Sequence, residues 1–136
     1  MQARSFPLSL ALVMGTVAAG LAIRFAPLGL PTPIVKYGGS MLWAITMYWI
    51  ASSLLGSGRL LSIALLSGVL ASIVEFFKLY HSPELDAFRL TLPGILLLGR
   101  FFSVWDILAY WTGIAAAAVL DARLRREAAP QGRAKA

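Results

Sequence analysis

The chain contains no cysteine, and it has one histidine, His81. The first absence excludes disulfides and thiolate chemistry. The second excludes a multi-histidine metal site, so neither zinc, haem nor any other cofactor is expected. Charge is scarce as well: 13% of the 136 residues are charged, against roughly 25% in soluble domains. No internal repeat is evident, which argues against an alternating-access transporter built from this chain alone.

What fills the chain instead is apolar sequence, 59% of residues, with a mean hydropathy of +0.78. A membrane-crossing helix needs about 20 mainly apolar residues. This length therefore accommodates four spans with short connections and no separate soluble domain. The expectation is an all-α integral membrane four-helix bundle, a single transmembrane domain over residues 1–122, with spans at about 7–23, 37–55, 60–80 and 101–120. Residues 123–136 are expected to be a basic cytoplasmic tail.

The first run, Pro7 to Ile23, has a basic start at Arg4 and small residues at Ala18, Ala19 and Gly20, as a signal peptide would. It is longer than a usual signal core, however, and Gly15, Ala19 and Ala22 form a small-residue stripe suited to helix packing, which favours a retained span. Pro27, Gly29, Pro31 and Pro33 then make a stiff loop. Tyr37 to Leu55 is the second span, and Gly56-Ser57-Gly58-Arg59 is a tight turn.

In the third span Gly68, Ser72, Glu75 and Leu79 recur at spacings of four, three and four and share one helical face. Glu75 lies roughly 7.5 Å from the span's end at 1.5 Å per residue. In the last span Ser103, Asp106, Tyr110 and Gly113 make a second polar face in the same way. Between them Ser82, as N-cap with Pro83 after it, opens a short helix. Leu85, Phe88 and Leu92 lie opposite Asp86 and Arg89, as in a helix resting at the membrane interface. The apolar stretch from Pro93 to Gly99 is too short to span and dips in and returns.

Of the twelve basic residues, Arg4, Arg59, Arg123, Arg125, Arg126, Arg133 and Lys135 fall on one side of this arrangement. Arg24, Lys36, Lys78, Arg89 and Arg100 fall on the other. The basic tail sets the first side as cytoplasmic, with both termini there. Its juxtamembrane position reads as topology signal and anionic-lipid contact, with no nucleic-acid role. Five cations on the external side are many for such short loops: either the topology is weakly specified, or the cations are kept there for a reason such as binding an anion.

Ionisable groups inside a membrane are costly and pair with one another. Glu75 and Asp106 have Lys78, Arg89 and Arg100 as partners. Two readings follow. In one, these residues with Ser103 and Tyr110 bind or shield an anionic envelope component at an external polar site, such as a phospholipid or a polyprenyl-phosphate-linked precursor; Arg suits this because its planar fork matches phosphate. In the other, the charges only pack helices, as in a structural or assembly subunit, and a homo-oligomer is compatible with either. A third reading, a membrane-embedded hydrolase or transferase with His81 as general acid or base, has no nucleophile in a recognisable setting, so no catalytic residue is assigned. Trp105 and Trp111 read as interface anchors.

The stretch EFFKLY, followed after a loop by RFFSVWDILAYWTG, resembles the VanZ-like membrane proteins. Glu75, Arg100, Ser103, Asp106 and Gly113 match their pattern, with Lys78 in place of Gln and Tyr110 in place of Asn. These departures are similar to a smaller uncharacterised bacterial family of four-span proteins allied to VanZ. Its counterparts here are Gly39-Ser40-Met41-Leu42-Trp43 (with Ser40 in place of Asp), Glu75 with Leu79-Tyr80, Arg89, and Leu98-Gly99. The resemblance implies a bacterial inner-membrane protein and an external polar site, and it supplies no substrate.

Overall fold

The computed structural model describes residues 4–56, 58–99 and 101–128. These form six α-helices and, among the described residues, no strand: α1 (Phe6–Phe25), α2 (Thr32–Leu55), α3 (Leu60–Phe77), α4 (Pro83–Arg89), α5 (Leu92–Leu97) and α6 (Val104–Glu127). Three of them, α1, α3 and α6, are long and apolar enough to cross a membrane. Their outward faces carry large apolar side chains such as Met14, Leu61, Ile73 and Leu108. An exposed apolar surface of this extent suits lipid and not water.

The second helix is equally long as α6, at 24 residues, but it alternates apolar residues with Ser40, Thr46, Tyr48, Ser52 and Ser53. It packs against α1, α3 and α6 together. Ala44, Tyr48 and Trp49 of α2 are buried against Ile63 and Ala71 of α3 and Tyr110, Ile114 and Ala117 of α6.

Several element ends differ from the sequence expectation. The second helix starts at Thr32 and not Tyr37, because Pro33 sits in its first turn, where a missing N–H costs nothing. The third stops at Phe77, where the Lys78 N–H turns back to the Glu75 carbonyl at 3.2 Å. Leu79 therefore leaves the shared face and is exposed. The sixth runs on to Glu127, so the expected boundary at residue 123 falls inside a helix, while Arg133 and Lys135 lie outside the described residues. On α1 the stripe of Gly15, Ala19 and Ala22 faces outward. Gly20 instead approaches α2, where a Cβ would stand in ordinary contact with Leu42 at 3.8 Å.

Two glycines fix close contacts. A Cβ on Gly68 would stand 2.3 Å from the Trp111 indole, so the ring sits where it does only because residue 68 has no side chain. Trp111 is therefore a packing residue that also donates Nε1–H to Ser72 Oγ at 3.2 Å, a correction to its reading as an interface anchor. Trp105 is exposed. Gly99, with φ +68°, closes the segment after α5 against the Lys78 side chain.

Candidate functional site

Glu75 is the centre of the cluster where α3 ends and α6 begins, and it has no exposed surface. Its Oε1 accepts the Ser103 backbone N–H at 2.7 Å. Its Oε2 accepts both the Tyr110 hydroxyl and the Lys78 ammonium at 2.6 Å. The carboxylate thus takes an orphan N–H at the start of α6, where the helix dipole also favours negative charge. Lys78, 8% exposed, has its Nζ 4.0 Å from Asp106 Oδ2. Asp106 is buried too, and its Oδ1 lies 3.0 Å from the Ser40 hydroxyl of α2. That hydroxyl is also 3.1 Å from the Lys36 carbonyl and donates to one of the two at a time.

The sequence-derived set is therefore partly gathered. Glu75, Lys78, Asp106 and Tyr110 form one network; Ser103 joins it through its backbone and not its hydroxyl. Ser40, which replaces the Asp expected by resemblance, bonds a carboxylate in its stead. Arg89 does not join. Its guanidinium is 3% exposed and donates to the Tyr80 and Phe77 carbonyls at 2.7 and 2.8 Å, over the Phe77 ring. The Phe77 carbonyl, which also accepts the Tyr80 N–H at 3.0 Å, ends α3 and the Tyr80 carbonyl lies just beyond it, so Arg89 ties α4 to the turn that closes that helix. Arg100 lies outside the described residues.

The short helix is present with the expected cap, Ser82 Oγ accepting the Leu85 N–H at 3.2 Å. His81 Nδ1 lies 3.0 Å from Asp86 Oδ1 on the exposed surface. This hydrogen bond, with Arg89 beside it, holds the Asp86 carboxyl below its ordinary value of 3.8. His81 is thus partnered by Asp86, apart from the buried Glu75.

A second charged cluster, not gathered from the sequence, sits at the opposite end. Asp121 lies 15 residues beyond Asp106 on α6, roughly 22 Å along the axis. It is fully buried and accepts Tyr48 Oη and Ser52 Oγ at 2.8 Å, Arg125 Nε at 3.0 Å, and Arg4 Nη1. Arg125 is buried and not a solvated tail residue. The signal was there: Asp121 and Arg125, like Tyr48 and Ser52, are four apart and share a helix face.

Among the described residues no three of His, Asp and Glu gather as a metal site would require. The fold and these clusters define an all-helical protein, three of its helices long and apolar enough to cross a membrane, with charge buried at both ends of its long helices. The sequence pattern of the family described as Protein of unknown function (DUF2809) matches residues 30–114, and the chain belongs to that family. No solved structure matches it. The matched stretch contains the whole Glu75 network and ends before Asp121.

Proposed function

We propose that this is a non-catalytic inner-membrane protein in which α1, α2, α3 and α6 cross the bilayer as a four-helix bundle, and that the Glu75 network is a lock holding α3, α6 and α2 in register. On this reading both ends of the chain are cytoplasmic and the network lies at the external end, as the distribution of basic residues favours. The bacterial setting rests on the resemblance to VanZ-like proteins. One observation carries the lock: the described cations expected to receive an external anion are already spent, Lys78 on Glu75 at 2.6 Å and Arg89 on the Tyr80 and Phe77 carbonyls at 2.7 and 2.8 Å. Binding or shielding of an anionic envelope component at this end would fall to Arg100.

Native mass spectrometry of the detergent-purified protein, wild type beside Lys78→Met and Arg100→Ala, separates the two roles. The lock requires all three to retain the same lipids while Lys78→Met melts earlier. Specific loss of one phosphate-bearing lipid from either variant, with helix content intact by circular dichroism, would replace the lock by an external anion site.

A further inference from the structure

The end of the molecule opposite the lock carries an imbalance of charge. Asp121 brings one negative charge, whereas Arg4 and Arg125 bring two positive ones, on side chains 2% and 1% exposed. A buried lysine can shed its proton; arginine does not titrate in proteins, so the surplus is permanent. A buried charge without a partner is costly unless an anion meets it.

The unused donors have a definite shape. Arg4 is held by Nη1, on Asp121 and on Ser52 Oγ at 2.9 Å, with its guanidinium carbon 4.9 Å from the centre of the Trp49 ring. What remains is Nε and Nη2, the edge of the guanidinium on which two N–H bonds run parallel and which fits an oxyanion bidentately. Arg125 uses its own corresponding edge internally, Nε on Asp121 and Nη2 on Ser52, both at 3.0 Å. It is left with Nη1. At this end, among the described residues, these three nitrogens are the buried side-chain polar atoms without a partner. Both guanidinium groups bond the same Ser52 hydroxyl, so the free donors belong to adjacent cations.

We infer that this end is a binding site for a phosphate oxyanion, gripped by the Nε–Nη2 edge of Arg4 and by Nη1 of Arg125. Asp121, Ser52 and Trp49 hold the two guanidinium groups in place. A carboxylate fills one fork, while a phosphate has further oxygens for the third donor. The depth suits a lipid headgroup. With 24 residues, α6 is about 36 Å long against a hydrocarbon core of about 30 Å, so Arg125 near its end reaches the level of lipid phosphates. Free phosphate offers the same chemistry. The site uses none of the residues of the Glu75 network and fails or stands separately from the lock.

The test is ligand-dependent melting and binding of the full chain in non-ionic detergent at fixed ionic strength, with inorganic phosphate or with micelles doped with phosphatidylglycerol. Arg4→Gln leaves Asp121 and Arg125 as a balanced pair and is expected to fold. Arg4→Lys keeps the charge but loses the fork. Arg59→Gln removes an exposed cation at the same end. Wild type and Arg59→Gln are expected to melt higher with ligand, while both Arg4 variants bind it about tenfold or more weakly. A rise with phosphatidylglycerol alone identifies the headgroup as the source; an equal rise with inorganic phosphate identifies the free anion. No rise with either probe, a rise undiminished in both Arg4 variants, or an equal loss in Arg59→Gln overturns the site.

Discussion

Glu75 and Tyr110 meet across the α3–α6 contact at 2.6 Å, the phenol donating to a carboxylate oxygen that also carries Lys78. Tyr110→Phe removes this donor while keeping the ring that packs on Trp43 at 5.4 Å. The expected cost is about 1–2 kcal/mol, read as a lower unfolding free energy in micelles with helix content unchanged.

The Gly68–Trp111 contact leaves no room for a methyl group. Gly68→Ala should destabilise by about 1–3 kcal/mol through overpacking. Trp111→Phe, which shrinks the ring, should recover part of that loss in the double variant. Equal stability of Gly68→Ala and wild type would mean that the Trp111 ring is not held against residue 68.

The two buried aspartates should differ in worth. Asp121 is bonded by two arginines, a tyrosine and a serine, whereas Asp106 has Ser40 and a lysine at 4.0 Å. Removing the carboxylate from a buried charged group costs about 3–5 kcal/mol, so Asp121→Asn should unfold far more readily than Asp106→Asn. Thermal melting of the two variants side by side checks the order.

How much of this was readable beforehand depended on whether partners were close in sequence. Glu75 and Lys78 are three apart, and Asp106 and Tyr110 four apart, so helical spacing gathers each pair. Spacing announces only the contact of Arg89 with Asp86, three residues away; its closer partners are the backbone carbonyls of Phe77 and Tyr80, which no pattern of side chains announces. The Asp121 cluster was hidden for another reason. Its members come from just before α1, from the second half of α2 and from the end of α6, and Arg125 reads as part of a solvated basic run although α6 continues through it. The start of α2 departs from expectation because Pro33, which reads as a helix breaker, sits in the first turn, where proline is tolerated.

The His81–Asp86 contact sets an acid limit at the surface. Because Asp86 has a depressed carboxyl in the folded chain, the contact stabilises the fold above the ordinary value of 3.8 and is lost only as pH falls through the lower folded value. A carbon-13 titration of Asp86 should give a midpoint below 3.8 that moves up toward it in His81→Ala. An unchanged midpoint would mean that the imidazole is not its partner.

The most direct measurement is a double-mutant cycle on Glu75 and Lys78, using Glu75→Gln, Lys78→Met and the pair, with unfolding free energies measured in micelles. If the two residues form the lock, each single change strands the other's buried charge and the double variant recovers stability, with a coupling above about 1 kcal/mol. Simple additivity of the two changes would contradict it.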